Sequence, residues 1–300
     1  MRAIIYGTST YALHFLPALA LNFTVIGFAD SDPSKKGTNW MGKNIYHPSE
    51  LGRLNFDIII IASTFVEEIN SILRLYGLPE GIATTELSEV MQSFHLYETA
   101  IKKSRLDKEK RIPKIALQHP HIKNTNLILN RETLLDLLPK GGTAAEIGVA
   151  SGNFSKKILQ INKPKNLHLI DIWNSERYGE TLYLEVNSKF QREQIDGTII
   201  IHRSESLDAI KKFPDSFFDW IYIDTDHSYE LTYQELKLSA PKIKPGGFIA
   251  GHDYQQGNWV AQYRYGVMEA VSNFCHEENW EIVMITMDMT EVQSFCLKKI

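Results

Sequence analysis

Two short stretches hold the residues best suited to chemistry. IDTDHSYE places Asp224, Asp226, His227 and Glu230 directly behind the apolar run FDWIYI, and GHDY places His252, Asp253 and Tyr254 directly behind GGFIA. A free imidazole titrates at about 6.5, so His227 is available as a proton acceptor at neutral pH, with His252 as a second. Hard divalent cations such as Mg²⁺ take carboxylate oxygens and keep some waters, which makes Asp224, Asp226 and Asp253 candidate ligands. Asp226 also has a local alternative, capping with Ser228 a helix that opens at Tyr229. Capping leaves Asp224 and Asp253 without a role.

A second constellation lies upstream. In AEIGVASGNFSKKIL, Glu146, Gly148 and Gly152 fall in a turn between a strand and a helix. Glycines there let backbone amides approach a ligand, and the helix N-terminus favours carboxylate or phosphate. A tight strand-to-helix turn without any ligand would read the same way. Asp171 ends the next strand, LHLID. A carboxylate at that place can accept both hydroxyls of a ribose, the alternative again being a helix cap.

These residues need elements to position them, and the apolar pattern supplies two series. The first runs AIIYG, a helix near residues 10 to 21, TVIGFAD, FDIIIIAS and a helix from about Val66 to Tyr76. The second runs TAAEIGVAS, NLHLIDIW, GTIIIHRS, FDWIYIDTD, GGFIAGHDY, WEIVMITM and VQSFCLKKI, with helical segments between the first six. Apolar strands alternating with helices indicate a parallel sheet with crossover helices. The last two runs leave no room for a helix, so the second series ends in an antiparallel hairpin. The expected architecture is α/β throughout: a smaller Rossmann-like domain over residues 1–88, a charged helical linker over 89–112, and a seven-stranded Rossmann-like sheet with a C-terminal antiparallel hairpin over 113–300. Both DTDH and GHDY then lie at the C-terminal edge of the sheet, where open α/β proteins bind ligands.

The turn AEIGVASG, Asp171 after the second strand and the final hairpin resemble a class I S-adenosylmethionine (SAM) dependent methyltransferase. IDTDHSYE followed by PKIKPGGFIAGHDY is similar to the methyltransferase family 24 branch, related to macrolide-sugar O-methyltransferases. The resemblance spans roughly residues 113–300. It implies that the methionine part of SAM lies over Glu146, Gly148 and Gly152, its ribose on Asp171, and its adenine near Ser204, Glu205 and Ser206 of IHRSES. In the related metal-dependent enzymes an acid at the Asp224 position binds metal and the group matching His227 serves as base. Several of them carry an acid or amide where this chain has Tyr254, so His227 and His252 working without metal is the other arrangement.

Between the fifth strand and the next helix, QQGNWVAQYRYGV offers Trp259 and Arg264. An aromatic ring stacks on sugar faces and Arg pairs with phosphate or carboxylate, so with His252 and Tyr254 they form a candidate acceptor site for a glycan or nucleotide sugar. In the first series IIYGTSTYALHFL has the single glycine Gly7, short of the dinucleotide pattern, and Asp30 of FADSDPSKKG stands after the second strand where a ribose-binding acid could sit, though the DSDP context favours a turn former. Its IIYG, GFADSDPSKKG and DIIIIA resemble the N-terminal Rossmann-like domain of bacterial sugar acetyltransferases.

Composition narrows the function class. The 300 residues carry 32 basic against 36 acidic side chains, which gives no positive field for nucleic acid or an anionic membrane. Cys275 and Cys296 stand apart from any Cys/His cluster, and the most apolar early stretch, FLPALALNF, is too short to span a bilayer. The expectation is a cytoplasmic SAM-dependent O-methyltransferase acting on a sugar of a nucleotide-linked or polysaccharide precursor. Mg²⁺ assistance and a homo-oligomer are both compatible with the sequence. The rival reading is a non-catalytic SAM- or nucleotide-binding scaffold or sensor.

Overall fold

The computed structural model describes all 300 residues, which divide into two compact units, Met1–Arg111 and Ile112–Ile300. The first contains β1 (Arg2–Tyr6), α1 (Thr10–Asn22), β2 (Thr24–Ala29), β3 (Asn39–Trp40), β4 (Lys43–Tyr46), α2 (Pro48–Leu51), β5 (Ile58–Ile61), α3 (Val66–Leu75), β6 (Ile82–Ala83) and α4 (Ser88–Arg111). Its sheet has the order β3-β4-β2-β1-β5-β6. Ile4 and Ile5 of β1 and Ile59, Ile60 and Ile61 of β5 are buried because apolar groups cover both faces of the sheet. The first turns of α4 pack on α1: Val90 is buried, Phe94 stacks on Phe15 at 4.7 Å, and Asn22 Nδ2 donates to Ser93 Oγ at 3.0 Å. The charged remainder of α4 is mostly exposed.

The second unit contains β7 (Asn126–Ile128), α5 (Arg131–Leu137), β8 (Thr143–Ile147), α6 (Asn153–Ile161), β9 (Asn166–Asp171), α7 (Glu180–Lys189), α8 (Gln191–Ile195), β10 (Ile199–Arg203) and α9 (Ser206–Lys212). It continues with β11 (Phe218–Ile223), α10 (Tyr229–Ser239), β12 (Ile243–Gly251), the short ribbon β13 (Gly257–Asn258) and β14 (Tyr263–Arg264), α11 (Val267–Glu278), β15 (Trp280–Thr286) and β16 (Phe295–Lys299). The main sheet has the order β10-β9-β8-β11-β12-β16-β15-β7. From β10 to β12 neighbours are parallel, while β16 lies antiparallel between β12 and β15. Large apolar clusters cover both faces, which is why β8, β9 and β11 read as nearly unbroken apolar runs.

This sheet has eight strands rather than seven. The addition is β7, three residues (NLI) paired parallel to the end of β15. So short and mixed a segment carries no periodic signal of its own, and tertiary pairing makes it a strand. The strand order reverses at the β8/β11 pair: β9 and β10 extend to one side of β8, β12 to the other. A crevice opens where crossovers diverge like this, so the residues after β8 and β11 occupy the place where the topology favours a ligand. No helix is long and apolar enough to cross a membrane.

Candidate active site

The turn after β8 is shaped by two glycines for reasons internal to the fold. Gly148 has φ +88°, and a Cβ there would come 1.8 Å from the carbonyl oxygen of Asp224. Gly152 precedes α6 at φ +72°, where a Cβ would meet the Phe190 ring at 2.7 Å. Close approach of Gly148 to the end of β11 brings the turn against the acids of DTDH. Backbone bonds fix this arrangement, with Gly148 N donating to Ile170 O at 2.9 Å and Asp224 N to Ile147 O at 2.8 Å.

Asp171 braces the same turn. Its Oδ2 accepts from the amides of Val149 and Ala150, both at 2.9 Å, and its Oδ1 accepts from Trp173 N at 3.1 Å. The carboxylate that the sequence offers to a ribose is thus already engaged, though two carboxylate oxygens accept about four bonds in all. Glu146 is fully enclosed on β8 and takes a hydrogen bond from Ser155 Oγ. Burial pushes its carboxyl up to about 8, only partly opposed by Ser155, so it is mostly protonated at neutral pH.

The catalytic candidates converge at the ends of β11 and β12. Asp253 is buried, and its Oδ2 lies 3.1 Å from His227 Nδ1 and 3.0 Å from His252 Nδ1. Asp224 Oδ2 lies 3.7 Å from His252 Nδ1. Burial raises the Asp224 carboxyl against the pull of the nearby histidines. Burial also opposes ionisation of Asp253, but the His252 hydrogen bond and the charges of His252, His227 and Arg131 outweigh it and hold that carboxyl below its ordinary range. With Asp253 ionised, both histidines are assigned as Nδ1–H tautomers, which leaves the acceptor lone pair of His227 on Nε2.

Backbone conformation aims these side chains. His227 and Asp253 have φ of 63° and 57°, in the left-handed region that costs non-glycine residues of order 1–3 kcal/mol and recurs at functional sites. The His227 turn is secured by Gly266 N, which donates to its carbonyl at 2.8 Å, and by the Tyr265 ring, 4.8 Å from the imidazole. Gly266 must lack a side chain, since a Cβ would lie 2.3 Å from Tyr229 N.

Ligand atoms of Asp224, His227 and Asp253 lie within 4.8 Å of one another. Asp226, expected as the third carboxylate, does not join them. It is exposed, and its Oδ1 accepts from Ser228 N at 2.8 Å and Ser228 Oγ at 2.7 Å, while Ser228 caps α10 by accepting from Leu231 N. The third member of the cluster is His227, whose backbone is in the left-handed region.

Other expected residues divide. Ser204, Glu205 and Ser206 lie beside Asp171, joined to it by Ser204 N donating to Asp171 O at 3.0 Å. Tyr254 packs beside Phe295 at 5.8 Å, and burial pushes its hydroxyl up to about 12. Arg264 is held by Glu269 at 2.5 Å and by Gln256 O at 3.0 Å, and so braces the β13–β14 ribbon. Trp259 at the ribbon tip is 87% exposed.

Residues 145–254 match the family described as a methyltransferase domain, and residues 1–81 match the one described as C2185-like, N-terminal. The matched stretch opens on β8 and closes at Tyr254, so it contains the glycine turn, Asp171 and all three clustered residues. The second unit thus joins a Rossmann-like sheet to a stretch that matches a methyltransferase domain, and that match supports a SAM-dependent methyltransferase. Similar solved structures include a SAM dependent methyltransferase from Aquifex aeolicus, 15% identical over 56% of this chain and 89% of that one with a TM-score of 0.42. A geranyl diphosphate methyltransferase in complex with GPP and sinefungin is 12% identical over 56% and 77%, at 0.45. The B. subtilis M1A22 tRNA methyltransferase TrmK is 12% identical over 57% and 66%, at 0.42. No curated protein matches the chain.

Proposed function

We propose that the second unit transfers a methyl group from SAM to a hydroxyl of a sugar carried on a nucleotide or polysaccharide precursor. One observation carries the chemistry: an ionised, buried Asp253 bonded to His227 Nδ1, beside the turn where a SAM site would lie. SAM, when bound, supplies an electrophilic methyl on a sulfonium. A sugar hydroxyl is too weak an acid to lose its proton unaided at neutral pH. His227 Nε2 would accept that proton as the hydroxyl takes up the methyl group. Asp253 keeps the imidazole in the Nδ1–H tautomer and stabilises the imidazolium that forms, at no cost in reorganisation.

Asp224 and Asp253 would hold Mg²⁺, a hard cation that needs only one or two protein carboxylates and retains waters. Bound there, it would lower the pKa of a substrate hydroxyl. The exposed Trp259 supplies an aromatic face for a sugar ring, and the near-balanced charge favours a small acceptor over a nucleic acid.

Calorimetric titration with S-adenosylhomocysteine (SAH), in chelator and again with Mg²⁺, tests the cofactor. Micromolar binding is expected. No heat under either condition would overturn the reading. Turnover of nucleotide sugars with and without Mg²⁺ then separates an enzyme from a SAM-binding scaffold, and the metal-dependent route from His227 acting alone.

A further inference from the structure

Arg131 was no part of the sequence-based site, yet it stands beside it. Arg131 opens α5, and its guanidinium carbon lies 4.7 Å over the ring of Phe154, the second residue of α6 beyond Gly152. The cation therefore lies against the first turn of the helix that follows the glycine turn. Its Nε donates to Glu291 at 2.7 Å, and its side chain is 15% exposed. Glu291 takes the Nε–H and Tyr222 is a second hydrogen-bond partner, which leaves some of the five guanidinium N–H donors to offer. The planar fork is thereby fixed in orientation before any ligand arrives.

The charges around the turn show what such a cation is for. Glu146, Asp171, Asp224 and Asp253 surround it with carboxyl groups, and Arg131 is a positive neighbour of Glu146, Asp224 and Asp253. Acids suit the sulfonium and ammonium of SAM but repel its α-carboxylate, which needs a cation of its own. Lys189 is the other cation at the turn, but its ammonium already meets Ser151 O, Asn153 Oδ1 and Glu185 Oε1, which exhausts its three donors. Arg131, with five N–H donors and the partners Glu291 and Tyr222, keeps donors to spare.

Building on the SAM reading above, we infer that Arg131 is a cofactor-binding residue whose Nη edge pairs with the α-carboxylate of the methionine moiety. Guanidinium–carboxylate pairs are charge-assisted and planar, so the contact sets the position of the sulfonium as well as affinity. Glu291 is then a positioning residue, tying the turn between β15 and β16 to the cofactor site through Arg131.

The test is titration of the full chain and two variants, Arg131→Gln and Arg131→Lys, with two ligands: SAH, and decarboxylated SAH, which keeps the amine but lacks the carboxylate. Arg131→Gln should weaken SAH about tenfold to a hundredfold, as loss of a charged hydrogen bond predicts, and leave decarboxylated SAH within about twofold. Arg131→Lys, which keeps the charge without the fork, should fall between and preserves the evidence if the Gln variant misfolds. Equal weakening of both ligands, or of neither, overturns the assignment. Wild-type protein that binds neither ligand would instead sink the SAM reading, leaving the two failures distinct.

Discussion

His227 Nδ1 and Asp253 Oδ2 lie 3.1 Å apart, from turns after two different strands, and each residue holds a left-handed backbone to reach the other. Two strained turns meeting at one hydrogen bond are hard to explain by packing. His227→Ala should lower kcat by about a hundredfold to ten-thousandfold, the usual contribution of a general base, with SAH affinity nearly unchanged. Asp253→Asn should lose kcat as well, because an amide neither fixes the tautomer nor stabilises an imidazolium. Stopped assays for kcat and calorimetry for SAH check both. Parallel loss of turnover and SAH binding in His227→Ala would count against its role as base.

A pH dependence of stability arises away from the site. His168 on β9 and His202 on β10 are bonded ring to ring at 2.9 Å, with Phe213, Phe217 and Phe218 packed edge-on around His168. Burial pushes His168 down to about 4 and also lowers His202. A depressed histidine means that the unfolded chain takes up protons first, so stability is full above about 6.5 and falls as pH drops toward 4. His168 alone predicts a loss of about 2 kcal/mol between pH 7.5 and 5. Urea unfolding at the two pH values should show it, and a His168→Phe chain that keeps the same slope would remove the assignment.

Much of the site was legible because its residues follow apolar runs. The type of Gly148, Asp171, Asp224 and Asp253 and their places at strand ends are one-dimensional facts, and parallel-sheet topology sends strand ends of this kind to a common edge. What stayed hidden depends on backbone direction and on distant pairing. Asp226 and His227 are adjacent in sequence, yet Asp226 accepts from Ser228, which caps α10, while His227, at a left-handed φ, joins the cluster. Arg264 reads in the sequence as a substrate contact, and its pairing with Glu269, five residues on, is a relation that only the fold reveals. Arg131 carried no signal at all, since its relation to the turn runs through Phe154 and Glu291, the latter at the far end of the chain.

Gly148 offers a direct check on how tightly the turn and the DTDH segment are joined. Gly148→Ala would place a Cβ 1.8 Å from Asp224 O in a backbone already at φ +88°, so the strand ends must part. A loss of more than about 3 kcal/mol is expected, as for other buried steric clashes. Gly141→Ala is the control: φ is +70° there but no atom lies within 4 Å, so only the left-handed penalty of about 1 kcal/mol applies. Thermal melts of the two variants measure the difference. Similar melting temperatures would mean that the turn yields easily.

Asp171 separates a brace from a ribose contact. Three amides converge on its two oxygens, those of Val149, Ala150 and Trp173. Asp171→Asn keeps one acceptor oxygen and turns an NH₂ group toward at least one of those amides. The variant should lose about 1–3 kcal/mol of stability, read from its urea midpoint, because a half-buried acceptor of three amides is replaced in part by an unmatched donor. SAH affinity should fall with it, at least tenfold, since the turn that shapes the site is no longer held. The two readouts carry different information. If affinity collapsed while stability stayed at the wild-type value, the carboxylate would be free to serve the ribose and the amide contacts would be incidental. If stability fell and affinity survived, Asp171 would belong to the fold alone.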